Sequence, residues 1–336
     1  MNTQQKESPV KSAKLMVDSK NIPPISSPFP EYFKHMIDPI DRSSFMDLNG
    51  DSIRFSGGKN YPVFEGIPIL ISNDHSIFST DDIINKKPTT QIPKYRTKKS
   101  LKNYVRQNLL PTLTGDEHIR TRYKSLGKKT VDGPILIVGA GDKAEYYRTC
   151  FPGREVVISD VHCLFYVDLV FDAHNIPFAD SVFSLVLLPQ VLEHTAYPWK
   201  VAEELQRITK KDGLIQIEVP FSFPFHGEPY DFYRFTPTAL SFLFPKCKIL
   251  NFLTPEGNWS GAATTVSNAM IDTFKNRYLR MFALGMSRFL LWWMKYMDRI
   301  IGRKTFSSPK GFVVTYQMDG VKRSEKELLE NLENIF

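Results

Sequence analysis

Apolar residues gather in short unbroken blocks through the middle of the chain, separated by stretches of helical spacing. Pro134-Ile135-Leu136-Ile137-Val138 is uninterrupted by any polar residue, the pattern of a strand buried on both faces. Further blocks at 155–159, 183–189, 214–219, 247–253 and 311–318 predict more strands. Over 198–210, Val201, Leu205 and Ile208 recur at helical spacing, so this segment should lay one stripe on a sheet before the Lys211-Asp212-Gly213 turn. Thr236-Pro237 is a helix start, with threonine as N-cap and proline in the first turn.

The first of these strands runs straight into Gly139-Ala140-Gly141, and a helix is expected from Lys143. A tight strand-to-helix turn needs permissive backbone angles, and bare glycines let a ligand approach the amides at the helix start. The next strand ends at Asp160, about the separation at which such folds set a carboxylate against a ribose. Then follow Asp172-Ala173 and, after the strand 183–189, Gln190 and Glu193-His194. The glycine turn alone would also fit a nicotinamide enzyme. With the stretch 168–194, however, the chain resembles the class I S-adenosylmethionine-dependent methyltransferases of type 11, over roughly residues 131–253.

That resemblance implies a Rossmann-like, seven-stranded α/β sheet with helices on both faces. It also implies S-adenosylmethionine as cofactor. Val138, Gly139, Ala140 and Gly141 would then face its methionine part, Asp160 the ribose hydroxyls, Asp172 the adenine amine, Val161 and Ala173 the adenine ring, and Gln190 the methyl group. Two positions depart from the family pattern: Ile137 stands where an acidic residue is usual, and Lys143 where a third glycine is usual. Such domains often cover the cofactor with N-terminal helices, a role for a helix at 116–126.

Outside the core the pattern changes. Residues 1–30 mix Gln, Lys, Ser and Pro and are expected to be a disordered leader. Over 31–75, short strands and a Gly57-Gly58 turn predict a β-ribbon. It resembles the zinc-ribbon modules that precede some methyltransferase domains or activate tRNA and protein methyltransferases. Asp38 and Asp41 stand where those modules have a cysteine pair, and Ser56 and Gly57 where they have another, so a metal-free docking ribbon is expected. Segment 76–130 is a linker with covering helices. Its part from 86 to 106 has eight basic side chains and no acidic one, open to nucleic acid or to a solvated linker entering a helix at 100–110. The methyltransferase domain is placed at 131–320, with a helical insertion at about 262–304 and a C-terminal helix at 321–336.

Composition narrows the setting. A formal charge of +7 over 336 residues permits an acidic partner without demanding one. Cys150, Cys163 and Cys247 are too few and scattered for a disulfide framework, and residues 1–20 lack an apolar core, so a cytoplasmic protein is expected. Between 274 and 304, Leu290, Leu291, Trp292 and Trp293 stand among Arg277, Arg280, Arg288 and Arg299. That pattern suits either an interfacial helix at a membrane surface or a lid packed on the core.

The chemistry expected is methyl transfer to a hydroxyl of a small metabolite, a sugar or a lipid-linked glycan, with no metal called for. The loop 220–236 follows a central strand at its carboxyl end, where open α/β sheets bind ligands. His226 is the first choice for a general base, with His194 and Asp231 as further catalytic candidates, although Asp231 and Arg234 could merely brace the loop. An RNA methyltransferase using the basic segment and a non-catalytic scaffold remain as alternatives.

Overall fold

The computed structural model describes residues 30–87, 110–113, 115–116, 118–301, 306–333 and 335. Residues 1–29 of the expected leader, the helix expected at 100–110 and most of the basic segment lie outside the described residues.

The uninterrupted apolar blocks form the centre of one sheet. Its parallel strands are β5 (Ile135–Val138), β6 (Val156–Asp160), β7 (Leu169–Phe171), β8 (Phe183–Pro189) and β9 (Thr209–Pro220). The antiparallel β11 (Gly311–Met318) and β10 (Cys247–Leu253) complete one side, giving the order β7-β6-β5-β8-β9-β11-β10. Along β5, Leu136 and Val138 join the hydrophobic cluster on one face while Ile135 and Ile137 join that on the other. Both faces are buried, which is why the block tolerates no polar residue.

The N-terminal ribbon extends this same sheet. Strands β1 (Phe45–Asn49), β2 (Ser52–Phe55), β3 (Asn60–Phe64) and β4 (Ile67–Leu70) form an antiparallel meander, and β4 then pairs in parallel with β7. The sheet therefore has eleven strands rather than the seven expected, because four ribbon strands continue it past β7. All four residues of β4 are buried, so its Ile-Pro-Ile-Leu sequence behaves as an internal strand. Asp38 is structural: its buried carboxylate accepts from the amides of Ile40 and Asp41 and from the Tyr61 hydroxyl at 2.9 Å. Arg42 ties the ribbon to the core by donating to Glu204 at 2.8 Å.

Helices cover both faces. They are α1 (Thr80–Ile84), α2 (Ile119–Lys129), α3 (Ala144–Cys150), α4 (Pro198–Ile208) and α5 (Pro237–Leu243). The Thr236 side chain caps α5, as expected from its sequence. The Lys211-Asp212-Gly213 turn does not break the chain between α4 and β9: it bulges out of the β8–β9 pairing, where the register shifts between Phe183 and Leu185 and Asp212 has φ 62°.

Between β10 and β11 lie α6 (Asn258–Asp272), α7 (Arg277–Leu291) and α8 (Met294–Ile301), and α9 (Glu325–Glu333) closes the chain. The insertion thus begins earlier than the expected 262. The small residues Ala283 and Ser287 bury one side of α7, with Ser287 2.8 Å from Ser267 of α6. Asp298 of α8 accepts from the first amides of α6, at Trp259 and Ser260, and so supplies the cap that Gly257 cannot. The other side of α7 faces outward, with Phe282 64% and Phe289 62% exposed. No helix among the described residues is long and apolar enough to cross a membrane.

Candidate functional site

At the carboxyl ends of β5, β6 and β7 the chain leaves a pocket that is open to solvent. Gly139 makes this possible. It has φ 78°, and a Cβ there would lie 2.2 Å from the Val191 side chain, so only glycine fits both the turn and the neighbouring loop. Gly141, at φ 55°, begins a short 3-10 turn that leads into α3.

Asp160 and Asp172 face the pocket from the ends of adjacent parallel strands. The Asp160 carboxylate accepts from the Gly141 amide at 2.8 Å and from its neighbour Val161 at 2.7 Å, which ties strand β6 to the glycine turn. An ionised carboxylate offers about four acceptor directions, so two remain for a diol, one of them approached by His162 Nε2 at 3.3 Å. Asp172 accepts from Ser76 Oγ at 2.5 Å and from His174 at its amide and at Nδ1, 3.0 and 2.6 Å away. Burial pushes the Asp172 carboxyl up, but the His174 and Ser76 contacts more than offset this and hold it below its ordinary value.

Of the expected cofactor residues, Val138, Gly139, Asp160, Val161, Asp172 and Ala173 line this pocket, and His194 joins them. Ala140, Gly141 and Gln190 are not on its wall: Ala140 is buried behind the turn, and Gln190, at φ 56°, donates its amide to the Glu218 carbonyl. Ile77 and Phe78 complete the wall from the loop between β4 and α1. Nothing in the core motif pointed to them; the signal was an apolar pair inside a polar loop. The Phe78 ring also meets Tyr230 of the loop after β9, with centroids 6.0 Å apart. Helix α2, expected to cover the cofactor, supplies none of the lining; its Tyr123 packs on Tyr147 and Phe151 and donates to Glu218 at 2.7 Å.

The catalytic candidates come together around His194, which lines the pocket, while His226 and Asp231 lie behind it in the loop after β9. His194 and His226 stack edge to face with centroids 4.9 Å apart. Gly227 allows this approach, since a Cβ there would lie 2.9 Å from the His194 ring. His194 Nδ1 contacts the Tyr230 carbonyl at 2.5 Å, and His226 Nδ1 lies 3.2 Å from the Pro224 carbonyl and 3.3 Å from Asp231. Burial pushes both imidazoles down from the ordinary histidine value. Asp231 braces the loop: it receives Arg234 on both oxygens, at 2.6 and 2.8 Å, and the His226 amide at 2.8 Å.

Glu193 is the residue whose environment the sequence did not disclose. It is 0% exposed, both carboxylate oxygens lack a hydrogen-bond partner, and burial pushes its carboxyl up to about 8. One ligand-type atom from each of Glu193, His194 and His226 lies within 4.8 Å of the others. His226 follows His194 by thirty-two positions in sequence, so no local spacing reveals the group.

Residues 150–217 match the family model described as a methyltransferase domain. The match includes Asp160, Asp172, Gln190, Glu193 and His194, and stops short of the glycine turn and of His226. No curated protein sequence matches the chain. Among solved structures, phosphoethanolamine N-methyltransferase 2 of Haemonchus contortus, in complex with phosphomonomethylethanolamine and S-adenosylhomocysteine, is 12% identical. That likeness covers 62% of this chain and 53% of the other, with a TM-score of 0.40. Coclaurine N-methyltransferase, bound to N-methylheliamine and S-adenosylhomocysteine, is 13% identical over 60% of this chain and 72% of its own, with a TM-score of 0.36. The YcgJ protein of Bacillus subtilis is 13% identical over 62% and 99%, with a TM-score of 0.35. The chain carries a methyltransferase domain on a Rossmann-like α/β sheet.

Proposed function

We propose that this protein transfers the methyl group of S-adenosylmethionine to a hydroxyl of a small metabolite, a sugar or a lipid-linked glycan. The observation that carries the reading is the pair Asp160 and Asp172, on adjacent strand ends, facing one pocket behind a glycine turn that only glycine can make. Asp160 would receive the ribose hydroxyls on its two remaining acceptor directions, and Asp172 the adenine amine. Val161, Ala173 and Phe171 would flank the adenine ring, and Gly139 the methionine part.

S-adenosylmethionine supplies an electrophilic sulfonium methyl, so the protein has chiefly to hold the acceptor in line and dispose of a proton. His226 and His194 stand where that proton would go. Both are held below the ordinary histidine value, so each is neutral near pH 7 and able to accept. His226→Ala is expected to lower the turnover rate by about 10²–10⁴-fold with S-adenosylhomocysteine binding retained. The reading is tested by calorimetric titration with S-adenosylhomocysteine, followed by an acceptor screen with labelled S-adenosylmethionine.

A second observation favours an acceptor held at a membrane surface. The outward side of α7 carries Phe282, Met286 and Phe289 at helical spacing, continued by Trp293, with Arg277 and Arg280 exposed beside them. This arrangement suits a helix lying in a lipid interface with cations toward the headgroups. The protein would then be peripheral, reaching a lipid-linked acceptor from the cytoplasmic side.

A further inference from the structure

The turn after β8 and the loop after β9 bring three ligand-type side chains face to face. His194 Nε2 lies 3.8 Å and His226 Nε2 3.9 Å from Glu193 Oε1. Glu193 is wholly buried, and neither of its oxygens has a hydrogen-bond partner. A buried carboxyl left without any side-chain or backbone partner is costly even when it keeps its proton, and a cation that replaces the proton satisfies both oxygens. The far side of each imidazole is meanwhile engaged. The Tyr230 carbonyl sits on Nδ1 of His194. The Pro224 carbonyl and Asp231 stand nearer Nδ1 of His226, at 3.2 and 3.3 Å, than the Arg234 donor at 3.4 Å. An acceptor at Nδ1 of His194 favours the proton there and leaves Nε2 to face Glu193, the outer-shell arrangement of metal-binding histidines, and a cation at Nε2 would select the same tautomer in His226.

We propose that Glu193, His194 and His226 form a divalent transition-metal site at the acceptor end of the pocket, where the cation holds an oxygen of the methyl acceptor. Two imidazoles and one carboxylate suit Zn²⁺, Fe²⁺, Mn²⁺ or Co²⁺ better than Mg²⁺ or Ca²⁺. Bonds of about 2.0–2.2 Å set neighbouring ligand atoms roughly 3–3.5 Å apart, so each imidazole has to close on Glu193 by less than about 1 Å, and the widest separation, at most 4.8 Å, by up to roughly 1.5 Å. His194 also lines the pocket, so a further ligand reaches the cation from that side. With a cation bound, both imidazoles act as ligands, and the coordinated acceptor hydroxyl releases its proton to solvent at lower pH than when free. The loss expected for His226→Ala is then loss of the metal. The cation site stands by itself; its contact with the acceptor rests on the methyl-transfer reading.

The test is titration of chelator-treated protein with Co²⁺, followed by visible d–d absorption, and with Zn²⁺ by calorimetry. S-adenosylhomocysteine is titrated into the same samples. One equivalent of metal should bind, and affinity should fall at least about 100-fold in both His226→Ala and the near-isosteric Glu193→Gln. Absence of Co²⁺ and Zn²⁺ binding by folded wild-type protein would overturn the site, as would binding unchanged in both variants. Wild-type protein that takes up S-adenosylhomocysteine but neither Co²⁺ nor Zn²⁺ sinks the cation site alone. The reverse pattern sinks the methyl-transfer reading and leaves the site standing.

Discussion

Gly139 shows how little freedom the pocket leaves a single residue. Its φ of 78° and the 2.2 Å approach of Val191 act together, so Gly139→Ala meets both backbone strain and a clash. The variant should lose about 1–3 kcal/mol of stability, read from denaturant unfolding, and bind S-adenosylhomocysteine at least tenfold more weakly. Asp160 and Asp172 were legible because a carboxylate directly after a buried strand has only the strand-end crevice to face. Glu193 was not, since its isolation follows from what surrounds it in space. Ser76 was equally hidden, because it reaches Asp172 from 96 residues away. Asp231 was left between catalysis and bracing, and its two-oxygen grip on Arg234 accounts for the bracing.

Glu204 of α4 is the hinge between elements. Its oxygens receive Arg42 of the ribbon and the Arg207 guanidinium, and the Ile176 amide at 2.8 Å. Burial pushes its carboxyl up, but the Arg207 and Arg42 contacts outweigh this and hold it below the unfolded value of 4.5. Because the folded state holds the proton less tightly than the unfolded chain, this contribution is in full above that value and fades as pH falls through the lowered folded value. Thermal unfolding from neutral pH down to about pH 3 should therefore show a shallower acid decline in Glu204→Gln. At neutral pH that variant should be destabilised by about 2–3 kcal/mol. Element types were largely readable from the apolar blocks, but the parallel pairing of β4 with β7 was not. A short apolar strand carries no mark of which edge it will join. The Lys211-Asp212-Gly213 turn was misread for a related reason: a turn signal does not distinguish a chain break from a bulge.

At the scale of the whole molecule, the pocket lies at the ends of β5 to β7 in the middle of the sheet, while α7 is inserted between β10 and β11, and none of its residues lines the pocket. Lipid binding and cofactor binding should therefore separate. Wild-type protein should sediment with vesicles containing phosphatidylserine, and Phe282→Ser with Phe289→Ser should weaken this at least roughly tenfold. Cofactor binding should be unchanged by that pair. Sedimentation unaffected by the substitutions would argue for a different surface, or for α7 covered by protein. The 274–304 pattern showed the amphipathic character in sequence, while only the packing of Ala283 and Ser287 on α6 shows which face is left outward.

The most direct measurement of the central claim is calorimetric titration of S-adenosylhomocysteine into folded wild-type protein and into Asp160→Ala and Asp172→Ala. One saturable site is expected in the wild type, with affinity reduced about tenfold to 100-fold in each variant, as loss of charge-assisted hydrogen bonds requires. Wild-type protein that carries no bound cofactor after purification and takes up none on titration would contradict the account.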